Sequence, residues 1–521
     1  MTVINKQFIK HTLIFFGFFV FAIISSEALA RHTYLRVHME SAPKTLDPSR
    51  ATGTREFQIL LAIFEGLTRY DPKTLTPLPG VAEKWTISPE GLHYTFYLRK
   101  EAKWSDGKPI TAQDFWNSWE HLLNPKEQAP YASMLFSIKG AEEYANGQLK
   151  NPGEIGMKVT SPQIFEVFLK EPVSYFLNLT AFSALSPTRK EAFEPHLISN
   201  GPFIFKSQSP AEGIVLLPNP FYWGKKEIKL PGIQFRPYVD FMDALKLYGA
   251  TGIDILADLP HEQVLLSRFR SDFRSGPLLR TFYFIFNCKK PPFDKKEVRQ
   301  AFAYTIQREI ITNDVLKRGD SPYGFFVPPG IPGYKSLPPG QIFNPSKGKE
   351  LLQSAGFGPG KSFPVFQILH TNPEDRILVA NAATEMWKKY LGIEGKSDVQ
   401  DWSSYLKGRE KRSFQISWGA WTGDYVDPDT FLGLFVGDNR QNYSGWSNPT
   451  YDTLINKAKG TLDSAKRNQL FAEAEKILLE EAVIIPVFVQ TKTYLIQPYV
   501  RGYYSNLLDL HPLRDVYSLR P

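Results

Sequence analysis

Residues 417–432 read SWGAWTGDYVDPDTFL. The carboxylate of Asp424 follows Trp421 among glycines, directly behind the strand-like run 414–416. A core strand does not end this way, whereas a site that grips something positively charged suits the pattern. Taken alone, a loop or cap acid is the default for Asp424, and core packing is the default for Trp402 and Trp421. Other chemistry is poorly supported. Residues 355–362 (AGFGPGKS) fit a relaxed phosphate-loop pattern. That motif needs a strand before it and a helix after it, so that helix N-terminal amides meet phosphate. Here a predicted helix (346–355) comes first and a strand-like run (363–369) follows, and Pro359 removes a backbone donor. A turn at a helix C-terminus explains the glycines. The nine histidines are scattered, with no pair spaced four apart on a helix as metal binding of the HExxH type requires. There is no G-x-S-x-G elbow. Adjacent acids such as Glu142-Glu143 and Glu480-Glu481 point to different helix faces. No catalytic constellation emerges, so neither an enzyme nor a cofactor is expected.

The chain has 521 residues, which is long enough for two or three domains. Its 42% hydrophobic and 22% charged residues are ordinary for a globular protein. Aromatics at 14% and 40 prolines are on the high side; they supply stiff contact surfaces and stiff crossing segments. A net charge of +8 without a dense Lys/Arg run argues against nucleic-acid binding. At the N-terminus, Lys6, Lys10 and His11 precede the apolar run 13–24, and Ala28-Leu29-Ala30 forms a cleavage site. The run is short of the roughly 20 residues that span a bilayer. Residues 1–30 are therefore expected to be a cleaved signal peptide. Position 31 is Arg, not Cys, so the expected product is an unlipidated protein outside the cytoplasm, in the periplasm. Cys288 is the sole cysteine and is expected to be buried and inert.

The elements that must position any site are mixed α/β. Residues 33–39, 93–98, 165–169, 213–217 and 232–236 read as strands. Residues 57–67 have helical apolar spacing with a stop at Gly66, and 111–123 begin with Thr111 as N-cap and Asp114 behind it. Further helices are predicted over 295–318, 346–355, 375–391 and 464–481. Residues 281–287 (TFYFIFN) and 483–490 (VIIPVFVQ) are continuous apolar strands, suited to crossing between two lobes.

One long pattern ties these pieces together. LDP (46–48), FEGL (64–67), PLPGVAEKWTISPEGLHYTFYLRKEAKWSDGKPITAQDFWNSWEHLLNP (77–125), PYAS (130–133), SNGPF (199–203), PPFDKKEVRQAFAYTIQRE (291–309) and EKILLEEAVIIPVF (475–488) occur in this order. Together they resemble the peptide-type (family 5) periplasmic solute-binding proteins of ABC importers, and most of all the oligopeptide-binding branch. The resemblance implies a two-lobed periplasmic binding protein fold with an additional α/β domain (type II, the large peptide-binding class). It implies lobe I from 31–63, 186–280 and 490–521, an extra domain over 64–185 and lobe II over 281–489. An oligopeptide would lie between the closing lobes, and the expected monomer would deliver it to membrane permease subunits of the importer.

The resemblance also assigns roles. Asp424 matches the aspartate that pairs with the ligand's α-ammonium, and Trp421 and Trp402 would wall its side-chain space. Arg409 would orient partners near the site. Tyr131, Tyr283, Gly53 and Thr54 fall where the family contacts an extended ligand. Three departures stand out. A family disulfide falls on Arg280 and Thr422, with Thr422 kept as a ligand-contact candidate, and a basic residue becomes Trp418. A histidine that meets ligand carboxylates aligns with Arg376, the first candidate for the ligand's C-terminal carboxylate, with Lys317 second. Murein peptides, dipeptides, haem or nickel are the alternative ligands, and a secreted hydrolase is the alternative of another class.

Overall fold

In the computed structural model, the described residues are 34–39, 41–189, 197–238, 240–358, 361–437 and 439–520. The predicted signal peptide and the start expected at Arg31 lie outside them. An eleven-stranded sheet forms the frame. Its spatial order is Gly395–Gln400, Phe366–Thr371, Ile416–Thr422, Phe273–Phe286, Ile484–Ile496, Ile255–Ala257, Leu35–Met39, Ile233–Pro237, Gly213–Pro218 and Phe203–Ser209, with Ser321–Pro322 paired to the side of Ile484–Ile496.

The two central strands are the longest, at 14 and 13 residues, and run antiparallel. At about 3.3 Å per residue each spans roughly 40 Å. Their pairing changes register between Pro277 and Thr281. Proline cannot donate to a ladder, and a bulge bends a strand and increases its twist. On one side of this break, residues 273–277 pair with 491–495, and Ile255–Ala257 joins the same end. On the other side, 281–285 pair with 484–489, and Ile416–Thr422 pairs with 280–286. Each long strand therefore belongs to one group of strands at one end and to the other group at the other end. The parts 281–286 and 484–489 are buried on both faces, which explains their unbroken apolar sequence. Phe273–Phe286 begins well before the predicted run because its first half, FRSGPLLR, is polar and interrupted.

A second, separate apolar core extends from Leu67 to Leu185. Four antiparallel strands form its sheet, in the order Ala82–Ile87, His93–Leu98, Ile164–Phe168, Met157–Ser161. The helix Ala112–Leu123 packs Phe115 and Trp119 onto Phe165, with ring centroids 6.3 and 5.3 Å apart. It starts where the sequence predicts, with Thr111 N donating to the Asp114 carboxylate at 2.7 Å in a capping box.

Two expectations need correction. The first helix runs Thr54–Ile63 and stops before Gly66. Gly66 serves a close approach instead: a Cβ there would lie 2.1 Å from the Thr180 carbonyl oxygen. The helix predicted over 295–318 is divided into Lys296–Tyr304 and a π-helical turn, Ile310–Leu316. Thr305 Oγ1 donates to the carbonyls of Ala301 and Phe302, and Trp387 Nε1 also donates to Phe302 O at 3.1 Å. These bonds satisfy the last carbonyls of the first segment and end it.

The glycine-rich stretch lies between the helix Pro345–Ser354 and the strand Phe366–Thr371, the reverse of a phosphate loop. Cys288 is buried, and burial pushes its thiol up to about 11. Among the described residues, no helix is long and apolar enough to cross a membrane.

Candidate functional site

The strand Phe366–Thr371 runs parallel to both Gly395–Gln400 and Ile416–Thr422. Their carboxyl ends share one edge of the sheet, the usual place for ligands in such sheets. The segments leaving that edge carry Arg376, Trp402 and Asp424. The antiparallel neighbour places Arg280 directly opposite Thr422 on the same edge.

Asp424 is turned outward by the residue before it. Gly423 packs so tightly that a Cβ would lie 2.6 Å from Leu279 Cδ2, and its N–H donates to Leu279 O at 2.8 Å. The Asp424 N–H donates to Thr430 Oγ1 at 3.0 Å. The backbone is thus fixed while the carboxylate faces solvent. Three acids lie close together here, and the structure separates their roles. Asp427 accepts from Arg467 Nη2 at 2.6 Å in a buried pair and from Ser174 Oγ at 3.4 Å. Asp429 accepts from Tyr425 Oη at 3.2 Å and lies 3.7 Å from Lys459 Nζ. The Asp424 carboxylate has no hydrogen bond or ion pair among the described residues. Its surface is open to solvent, yet the surrounding protein desolvates it enough to push its pKa above the ordinary carboxylate value.

The segment behind Asp424 docks on the second core. Tyr425 stacks on Tyr175 with centroids 3.5 Å apart. Tyr131, also from that side, packs on Phe57 of the first helix and on Phe182, at 5.5 and 5.2 Å. Burial, with the Asp424 charge behind it, raises the Tyr131 pKa. Tyr131 and Asp424 are therefore near neighbours. Gly53 caps the first helix, and a Cβ there would lie 2.2 Å from the Glu56 carboxylate folded back over it; Thr54 is exposed beside it.

On the other side of the edge sits positive charge. The Arg376 guanidinium lies 4.8 Å above the Phe282 ring and makes no hydrogen bond or ion pair among the described residues. Burial lowers its pKa, the adjacent Asp375 and Tyr405 pull it back up, and the charges of Arg318 and Arg409 lower it. Lys317 is exposed next to Arg318.

The remaining candidates form the wall behind these groups. Trp402 opens the helix Trp402–Glu410, stands 66% exposed and stacks on Tyr405 at 5.6 Å. Trp421 is half-buried, with its Nε1 lacking a partner. Arg409 is buried, and its Nη1 donates to Tyr405 Oη at 2.9 Å. Burial opposes its charge, but Tyr405, Tyr283 and Tyr443 hold its pKa up. Tyr283 lies behind the edge, 2% exposed and edge-on to Phe326. Trp418 is core, between Phe284 and Phe488. Thr422 is exposed. Sequence reasoning noted Arg280 only as a missing cysteine, and overlooked Arg318. The alternation of Arg280 with Phe282 on one strand face is the signal that marks both Arg280 and the ring beneath it. A cavity of about 170 Å³ between Gln300, Pro339 and Glu480 shares no residue with this edge.

A raised native pKa stabilises the fold fully below the unfolded value and loses that contribution as pH rises through the native one. At neutral pH the charge on Asp424 is thus a cost to the ligand-free fold. Asp424→Asn is expected to raise the melting temperature at pH 7, with the gain disappearing near pH 3, as checked by calorimetry.

The chain matches the family described as bacterial extracellular solute-binding proteins, family 5 Middle, over residues 76–443. It is 34% identical over 514 residues to the periplasmic murein peptide-binding protein MppA of Escherichia coli, covering 95% of each chain. It is 32% identical over 496 residues to the periplasmic oligopeptide-binding protein OppA of Salmonella typhimurium, covering 92% of this chain and 90% of the relative. The fold superposes on the unliganded open form of the MppA murein tripeptide-binding protein with a TM-score of 0.86, at 33% identity, over 93% of this chain and 97% of the other. With Haemophilus influenzae OppA in complex with the peptide RPPGFSPFR, the TM-score is 0.70, at 28% identity over 94% and 99%. The chain belongs to family 5 of the bacterial extracellular solute-binding proteins and has their two-lobed fold with an additional α/β domain.

Proposed function

We propose that the protein captures short peptides between its lobes in the periplasm, releases them unaltered, and delivers them to the permease subunits of an ABC importer. The observation that carries this reading is a pair of unpartnered charges on one edge: the carboxylate of Asp424 and the guanidinium of Arg376. A peptide is a zwitterion, and a desolvated ammonium needs a fixed anion. Asp424 would receive the α-ammonium, with Tyr131, Trp421 and Trp402 around the first side chains. Gly53 and Thr54 would meet the extended backbone from the opposite lobe, while Arg409, held by Tyr405 and Tyr283, would brace the wall. Arg376 would take the C-terminal carboxylate, because a guanidinium can hold it with two parallel bonds. Lobe I would comprise 31–63, 186–280 and 490–521, the extra domain 64–185 and lobe II 281–489, hinged where the long strands change register. Murein peptides are the favoured peptide class, on the likeness to MppA in sequence and in open form. Export by a signal peptide over residues 1–30, cut before Arg31 without lipidation, completes the reading; N-terminal sequencing of the periplasmic protein should begin at Arg31.

The direct test is a cycle of variants and ligands. Truncating one member of a buried charge pair costs about 2–5 kcal/mol. Asp424→Asn should therefore weaken a free peptide by roughly 30-fold or more. Acetylating the peptide's amine should cost the wild type about as much, and the variant much less, because both changes remove one interaction. Arg376→Ala should weaken free-acid peptides more than their C-terminal amides. Equal binding of acetylated and free peptide by the wild type would refute the role of Asp424, and equal losses for acid and amide would refute that of Arg376.

A further inference from the structure

This edge holds more positive charge than one C-terminus can answer. Arg280 and Phe282 alternate along the strand Phe273–Phe286 and so share a face. Three guanidiniums gather over the Phe282 ring: Arg376 at 4.8 Å, Arg280 at 5.0 Å and Arg318 at 5.8 Å. A ring face attracts each cation, but the cations repel one another. The carboxylates hydrogen-bonded within this group both go to Arg318. Its Nε meets Asp320 at 2.5 Å and its Nη1 meets Asp375 at 2.9 Å. Asp320 is further committed to Thr491 N at 3.1 Å.

Arg280 is left under-satisfied. Its Nη1 makes one long bond, 3.3 Å, to the neutral Gln490 side chain, and its buried Nε has no partner. Burial lowers its pKa, and the charges of Arg376 and Arg318 lower it further, against the smaller raising effect of Asp375 and Asp320. Arg409 stands close enough to act on Arg376 and is hydrogen-bonded to a tyrosine hydroxyl rather than an acid. Among the described residues, the carboxylates hydrogen-bonded to Arg280, Arg318, Arg376 and Arg409 are thus two, both on Arg318. Directly across the ladder from Arg280 stands the exposed Thr422, and opposite residues of an antiparallel pair share a face.

We propose that Arg280, with Thr422 beside it, is a specificity site for a second carboxylate on the ligand, so the protein selects peptides bearing one free carboxylate beyond the C-terminus. This rests on the peptide-binding reading above and deepens it. The second carboxylate can come from an acidic side chain or from an α-carboxylate freed by a side-chain-linked peptide bond, and both present the same anion.

Calorimetry with three tripeptides tests this: Ala-Glu-Ala, its γ-linked isomer Ala-γGlu-Ala, and the neutral Ala-Gln-Ala. The wild type should bind at least one acidic peptide about tenfold or more tighter than the neutral one, the scale of a charge-assisted bond. Which isomer gains identifies the source of the carboxylate. The ratio of acidic to neutral affinity should collapse toward one in Arg280→Gln and be largely retained in Arg280→Lys, which keeps the charge and guards against simple misfolding. If the wild type binds all three alike, the inference fails while peptide binding stands. An acidic preference that persists undiminished in Arg280→Gln also overturns it. If none of the three, nor any other free peptide, binds, the peptide reading itself fails.

Discussion

Asp424 stays without a partner because the cations near its segment are already taken. Arg467 is sealed against Asp427, and Lys459 lies 3.7 Å from Asp429 rather than on the third acid. Its backbone cannot relax either, since Gly423 is wedged on Leu279 and Tyr425 is stacked on Tyr175. A crowded carboxylate with no counter-charge is unfavourable in the empty protein. On the proposed function, that unfavourable state would be a source of affinity for a cation, because the ligand would supply what the fold withholds. The arginines over Phe282 hold the same kind of imbalance with the opposite sign.

The frame offers a place for that imbalance to act. Both long strands are shared between the two ends of the sheet, and their pairing shifts register after Pro277. The charged edge belongs to one end, whereas Gly53 and Thr54 belong to the first helix on the other side. A ligand that touches both sides favours the closed arrangement by the contacts available only there. Tyr131 joins the second core to this region, since it packs on Phe57 of the first helix and lies beside Asp424.

The sequence exposes those parts of this design that depend on neighbours along the chain. The capping box at Thr111, the alternation of His93–Leu98 and the apolar crossing runs are local patterns and appear as read. Gly66 misleads because its reason is a carbonyl at Thr180, far away in sequence. GDYVDPD contains three acids that look alike on paper. What distinguishes them is Arg467, 40 positions away from Asp427, and Ser174, 253 positions away. The arginine cluster is hidden for the same reason: strand register and the start of a distant helix bring Arg280 and Arg376 to one ring. Family resemblance points to Arg376, but nothing local in the sequence joins it to Arg280.

The central claim is that Asp424 is held unpaired, with its pKa raised, until a ligand's ammonium arrives. The most direct measurement is a ¹³C NMR titration of the Asp424 carboxyl carbon, assigned by comparison with Asp424→Asn, in the empty protein and with a saturating free peptide. The account predicts a midpoint above the ordinary aspartate value when empty and below it when the ammonium is bound. A midpoint unchanged by the peptide would contradict it.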